Sequence, residues 1–428
     1  MKNKLKQFKV YVITYIGIVM LFMLMIIGAY LLPNDNIREN VTRSVEQLKK
    51  EENGYIPFFN QPGAMMDTHT DALMLNIAMN KGMQKEQKIL ERAVENSFYE
   101  DETQASLKSL EATVTNKLFN NHEYTRYWHG AQVVLRPLLM FFTYTEIRYI
   151  LMFVIFILLG IVIYLMGEEL GLKNIIAFII TICMMYIILI PMSLQYSYIF
   201  IVTLIAMIAV LLAYKYKKNN MIPILFFIIG AVTTYFDLLT YPLISLGFPV
   251  TIAVIIENRK GTKLLNQILF IIKLGILWAI GYSLLFFTKW VIASIILHKD
   301  VITLALNQIL FRVNGSETYK VDRITVLKEN FSFFFIPVAR FILKIVVILW
   351  IIMFVLNKNK FKESKVAIPL LCIAIVPYMW YIIFAGHSSI HSWFTNKIQA
   401  ITVFAVLCAM SESIKMTDLK KILSKRRN

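Results

Sequence analysis

Residues 10–32 read VYVITYIGIVMLFMLMIIGAYLL, 23 positions without a charge. About 20 apolar residues are enough for a helix to cross the hydrocarbon core of a bilayer, because a helix pairs its backbone polar groups internally. The stretch is preceded by Lys2, Lys4, Lys6 and Lys9 and followed by Pro33-Asn-Asp-Asn. It has no small-residue cleavage site, so it reads as a retained anchor rather than a signal peptide.

Working outward, about ten such runs are found in a chain of 428 residues that is 58% hydrophobic. They lie at Val10–Leu32, Ile147–Met166, Asn174–Pro191, Gln195–Tyr214 and Met221–Phe236. The rest are Pro242–Ile256, Leu264–Thr288, Phe333–Leu356, Val366–Phe384 and Ile398–Met410. The expected fold class is all-α: a polytopic transmembrane helical bundle with a small extracytoplasmic helical cap.

Cations set the expected orientation, since Lys and Arg concentrate in cytoplasmic loops. Clusters occur at Lys215, Lys217 and Lys218, at Arg259, Lys260 and Lys263, and at Lys358, Lys360, Lys362 and Lys365. A further cluster, Lys415 to Arg427, closes the chain, whereas the connections around Ser193, Asp237 and His387 are nearly free of cations. Ten crossings with both termini cytoplasmic satisfy this pattern. The cell membrane is the expected location, and membrane lipids are expected partners. The net charge of +17 is then a topogenic excess and calls for no nucleic acid. Cys183, Cys372 and Cys408 all fall inside predicted crossings, which leaves no disulfide framework and no thiolate zinc site outside.

The expected division is an N-terminal tail with the first helix (1–32), an extracytoplasmic loop (33–133), a polytopic domain (134–414) and a basic tail (415–428). A second exterior loop is expected near 298–332. In the first loop, Ile37, Val41, Val45 and Leu48 recur at helical spacing after Asn34 and Asp35. A Gly/Pro break follows from Gly54 to Gly63, then an apolar stretch from Ala64 to Asn80. A charged helical region is expected from Gln84 to about Phe119.

The densest polar cluster is Asp67-Thr-His-Thr-Asp71. In a helix the two aspartates lie one turn apart on one face, and in a strand they point the same way as His69. Either geometry suits a general base with an orienting neighbour, or a divalent cation (Mg or Mn) held by oxygen ligands. An N-cap role for one Asp is the structural alternative. Arg126-Tyr-Trp128-His129-Gly130 and Arg136-Pro137 follow. Tyr127 and Trp128 suit an interfacial anchor. Arg136 lies among apolar residues, so it should face the interior or bind an anion. Asp237 is alone in its short connection and needs a partner. His387 and His391 are four apart, but no glutamate completes a zinc motif, and hydrogen bonding to a phosphate or sugar fits them better. Lys397 closes this last exterior segment.

Taken together, these features resemble the GT-C superfamily of membrane glycosyltransferases, which use a polyprenyl-phosphate-linked sugar donor and a glycan or lipid acceptor. The resemblance covers the architecture of the whole chain and is specific only locally. It implies Asp67 or Asp71 as base in the first exterior loop. It also implies Arg126, His129 and Arg136 as carrier-phosphate contacts, joined by His387, His391 and Lys397. The chain departs from the family in having fewer crossings than many members and no adjacent acidic pair. The Tyr-Trp-His-Gly and Leu-Arg-Pro-Leu-Leu segments also resemble an uncharacterised group of bacterial integral membrane proteins. A lipid-linked oligosaccharide polymerase, a transporter or flippase, and an envelope assembly protein remain open alternatives.

Overall fold

The computed structural model describes residues 2–51, 57–80, 87–102, 105–117, 120–356 and 360–413. The C-terminal cluster from Lys415 to Arg427, together with Lys358, Tyr55, Gln84 and Phe119, lies outside the described residues. The chain begins with α1 (Lys2–Leu31) and α2 (Asn34–Lys50). Two 3-10 turns within 58–64 lead to α3 (Thr68–Met79), α4 (Ile89–Glu95) and α5 (Ser106–Val114). Next come α6 (Gln132–Leu139), α7 (Tyr144–Glu169), α8 (Leu172–Met184), α9 (Leu194–Lys215) and α10 (Ile222–Phe236). Then follow α11 (Ile244–Arg259), α12 (Leu264–Leu297), α13 (Val301–Asn314), α14 (Arg323–Phe334) and α15 (Pro337–Leu356). The last helices are α16 (Lys360–Ala374), α17 (Val376–Ile383), α18 (Ala385–Ile390), α19 (Ser392–Thr395) and α20 (Ala400–Glu412).

Six helical spans among the described residues are long and apolar enough to cross a membrane, and a seventh forms if α14 and α15 are one span bent by 84°. This is the composition of an all-α membrane protein. Three of the ten runs read from the sequence are interrupted, Phe333–Leu356 by the bend between α14 and α15. Asn174–Pro191 splits into α8 and a 3-10 turn, with Tyr186 at a left-handed φ of 56° between them. Val366–Phe384 breaks between α16 and α17, where Pro377 follows the junction and lacks an N–H to continue the ladder. The run at Pro242–Ile256 is a helix of 16 residues, α11. α1, α7 and α12 leave most of their apolar side chains uncovered, whereas α9 and α20 are mostly buried and form the centre of the bundle.

The two ends of the bundle differ in chemistry. At one end Lys215 pairs with Glu168 at 2.6 Å, and Arg259 pairs with Glu412 at 2.6 Å while donating to the carbonyls of Glu169 and Leu170. At the other end, where α7 and α9 begin, sits the cap formed by residues 34–122. Ile37, Val41, Val45 and Leu48 are all buried, as their spacing predicts. The charged region expected to be helical is so in part. It contains α4 and α5 joined to a two-stranded antiparallel ribbon, β1 (Phe98–Glu100) with β2 (Asn120–His122), in which Phe98 faces His122. The asparagines account for the break: Asn96, in a left-handed conformation (φ 50°), ends α4 before a second period can form.

The boundary expected at 133/134 falls inside α6, and this helix is held by Arg136. Its guanidinium is fully buried. It donates from Nε to Ala29 O (2.9 Å), from Nη2 to Asn34 Oδ1 (2.8 Å) and Leu32 O (3.3 Å), and from Nη1 to Ala78 O. It also lies 4.6 Å from the Tyr30 ring. One side chain therefore satisfies open carbonyls at the C-termini of both α1 and α3. Arg136→Met strands these buried acceptors. We expect it to cost about 3 kcal/mol, read as a lower unfolding midpoint of the purified protein in detergent.

Candidate active site at the cap end

The acid pair sits where α3 meets the start of α9. Asp67 is the N-cap of α3 and accepts from Thr70 N (2.9 Å) and Thr70 Oγ1 (3.0 Å), as an Asp before an apolar helix should. Gln195 Nε2 also donates to Asp67, and Asp67 N donates to Ser193 Oγ at 2.9 Å. Asp71, one turn on, accepts from Leu194 N (2.9 and 3.0 Å) and from the Tyr144 hydroxyl (2.6 Å). The two carboxylates thus share a face, and each closes a helix N-terminus. Both are fully buried, and burial pushes Asp67 up to about 6 and Asp71 up to about 7. Because their oxygens receive N–H and O–H donors and Lys397 is an electrostatic neighbour of Asp67, the pair does not fit a magnesium or manganese ion. No cluster of three or more metal-ligating side chains occurs among the described residues.

A cationic and imidazole group stands beside it. Lys397, fully buried, donates to Gly63 O (3.1 Å) and Trp393 O (3.3 Å) and lies 5.0 Å over the Tyr196 ring. A Cβ on Gly63 would fall 2.0 Å from Phe333 O, so only glycine lets the cap approach this closely. Trp393 lies near Asp67, whose carboxyl it helps to lower, and its ring centroid is 5.1 Å from that of His391. His391 in turn accepts from Arg312 Nη1 (2.8 Å) through Nε2. The same Arg312 nitrogen donates to His387 Nδ1 (3.2 Å), whose Nε2–H donates to Leu239 O (2.7 Å). Burial, and then the Arg312 charge, hold His387 down at about 3 and His391 well below its ordinary value, so both rings are neutral acceptors. His69 bonds Ser106 Oγ (3.0 Å) and is electrostatically coupled to His391.

Arg312 leads into a cavity of about 360 Å³ between the 126–127 segment, α12 and α13. Arg126, Tyr127, Tyr282, Ser283, Gln308 and Arg312 supply its polar lining. Phe286, Phe287 and Trp290 supply much of an apolar wall. Two arginines and a run of aromatic side chains thus line one cavity. Asp237 is not among its lining residues but neighbours two of them. It is buried and interacts electrostatically with Tyr127 and Tyr282, and Leu239, two residues on, lines the wall. Burial pushes it up to about 7, opposed by donors of the Thr240 turn.

Of the sequence candidates, Arg126 lines the cavity and the others do not. Arg136 is occupied by helix carbonyls, as above. Trp128 donates to Leu285 O (2.9 Å) and packs in the interior. His129 has a left-handed backbone (φ 53°), is buried near Lys289, and is held neutral, at about 3, chiefly by burial. Conversely, the role of Arg312 was not read from the sequence, where it is one of several charges in a polar segment. Gln195 and Tyr144 gave no signal because neutral side chains inside apolar runs do not stand out.

The raised carboxyls make stability depend on pH. A folded-state pKa above the unfolded one stabilises the fold fully below about pH 4, and that contribution is lost as pH rises through about 7. The buried histidines act with the opposite sign over the same window, so the test is a difference: the thermal midpoint of Asp237→Asn in detergent, relative to wild type, should increase from pH 4 to 7. A difference that stays constant would contradict the raised Asp237 carboxyl. No family model, curated protein or solved structure matches the chain.

Proposed function

We propose that this chain is an integral-membrane glycosyltransferase that moves a sugar from a polyprenyl-phosphate carrier to an envelope glycan or lipid acceptor. In this reading the cap is extracytoplasmic, the bundle makes ten crossings, and the Lys215 and Arg259 end faces the cytoplasm, in accord with the charge pattern. The observation that carries the reading is the cavity in which Arg126 and Arg312 meet an aromatic wall. A phosphate on an isoprenoid chain matches both halves of that surface.

Transfer proceeds by attack of an acceptor hydroxyl on the anomeric carbon. The new C–O bond forms as the bond to the carrier phosphate breaks, through an oxocarbenium-like state. The bonding pair leaves on phosphate oxygen, where the two guanidiniums oppose the growing charge. Asp67 takes the hydroxyl proton. It is the better base of the pair because it lies on the side of Lys397 and Trp393, whereas Asp71 is bound up with Tyr144 and α9. Arg312 replaces His129 and Arg136 as the phosphate contact. His387 and His391 orient it, and Lys397 holds the Asp67 turn against the bundle.

The test is transfer of radiolabelled sugar from polyprenyl-phosphate donors by the purified protein in lipid nanodiscs. Arg312→Gln should lower turnover by about 10²–10³, the usual effect of losing one charge-stabilising donor. Asp67→Asn should abolish turnover, while Asp71→Asn should act on stability first. Full activity in both Arg312→Gln and Asp67→Asn would refute the assignment.

A further inference from the structure

A second cavity, of about 500 Å³, runs between α7, α9 and α10, with α6 closing its cap end. These three helices belong to spans long and apolar enough to cross a membrane, so the cavity lies at the depth of lipid chains. Tyr198 and Phe236, their rings 6.4 Å apart, line the cap end, and Ala209 and Leu225 line the other. From Tyr198 to Ala209, α9 rises about 16 Å at its ~1.5 Å per residue. Every described lining residue is apolar apart from the Tyr198 hydroxyl. Ile205, midway along and 52% exposed, marks where the cavity opens toward the bilayer. Water and an extended peptide backbone find no partners on such a surface. An α-helix, about 10–12 Å across with its side chains, would fill over ~1,000 Å³ along that length. A single hydrocarbon chain is the occupant that suits both the lining and the volume.

Two observations tie this groove to the candidate site. The Tyr198 hydroxyl is an electrostatic neighbour of Asp71. Phe236 in the groove and Leu239 in the wall of the Arg126 and Arg312 cavity are three residues apart, at most about 11 Å at ~3.8 Å per residue. The two cavities therefore flank one turn. We propose that the groove seats one acyl chain of a lipid acceptor, so that donor and acceptor tails bracket the 237–240 turn and their heads meet at the cap end. That this lipid is an acceptor rests on the glycosyltransferase reading; that the groove holds a chain does not. A diacylglycerol has the required chemistry, with apolar chains and one free hydroxyl. Its hydroxyl oxygen forms the new bond to the anomeric carbon, its proton passes to Asp67, and the pair of the broken bond leaves on the carrier phosphate.

The probe is dioleoylglycerol with a photoactivatable diazirine near the end of one chain, added to the full-length protein in phosphatidylglycerol nanodiscs. After illumination, peptide mapping should find Ile205 and Ala209 labelled about tenfold above Phe153 and Phe156, which are exposed on α7 outside the groove. Excess unlabelled dioleoylglycerol should erase that difference. Ala209→Phe should erase it too, as should Ile205→Trp, placed at the open position where a larger side chain leaves the fold intact. Both variants should raise the KM for dioleoylglycerol about tenfold and leave that for the polyprenyl-phosphate donor unchanged. Even labelling of all four residues, or no label in the groove because a helix of another chain fills it, would overturn the proposal. So would an unchanged KM for dioleoylglycerol in both variants. Selective labelling with no sugar transfer to any acceptor would instead remove the glycosyltransferase reading and leave the groove a lipid site.

Discussion

Unpaired peptide groups at helix ends, held where little water reaches them, are the constraint around which this molecule is built. A helix leaves four carbonyls open at its C-terminus and four N–H groups at its start. Here charged side chains, some buried and some at the surface, answer that need with matched sign. Arg136 serves α1 and α3, Arg38 takes the carbonyls of Thr113 and Val114 at the end of α5, and Arg259 takes those of Glu169 and Leu170. Lys289 donates to Val94 O at 2.5 Å, near the end of α4. At N-termini, Asp67, Asp300 and Asp322 cap α3, α13 and α14, Glu146 closes a capping box on α7, and Asp71 binds the first N–H of α9.

That same constraint decides what a reader of the sequence can see. The amphipathic α2 was legible because its apolar spacing has one physical meaning. Membrane-crossing helices were legible for the same reason, although proline and a left-handed Tyr186 shorten individual runs below what hydropathy suggests. A charge within an apolar run is ambiguous, because helix-end closure and ligand binding both require a buried polar group. Arg136 and Asp71 belong to the first kind. Asp237, expected to need a partner, finds one for Oδ1 in the N–H of Thr240 in its own turn, and none for Oδ2. Arg312 passed unnoticed because a loop arginine has water as its default partner, and only the fold shows that two imidazoles hold it.

The candidate site is assembled by close approach rather than by any one segment. Gly386 lets α18 press onto α13, since a Cβ there would lie 2.5 Å from Phe311 O and 3.0 Å from Arg312 O. That contact places His387 and His391 against one guanidinium nitrogen and fixes which edge of Arg312 faces the cavity. Gly63 does the same for the cap above Lys397. Polar groups with few degrees of freedom are the requirement for stabilising charge that develops during a reaction.

The bond from Lys397 to Gly63 O joins positions 334 residues apart. Ribosomes deliver Gly63 long before Lys397, so the cap must wait, its acids without their neighbouring ammonium, until that lysine has emerged. A nascent polypeptide short of that point holds the first-loop acids without the side chain that pins their turn to the bundle.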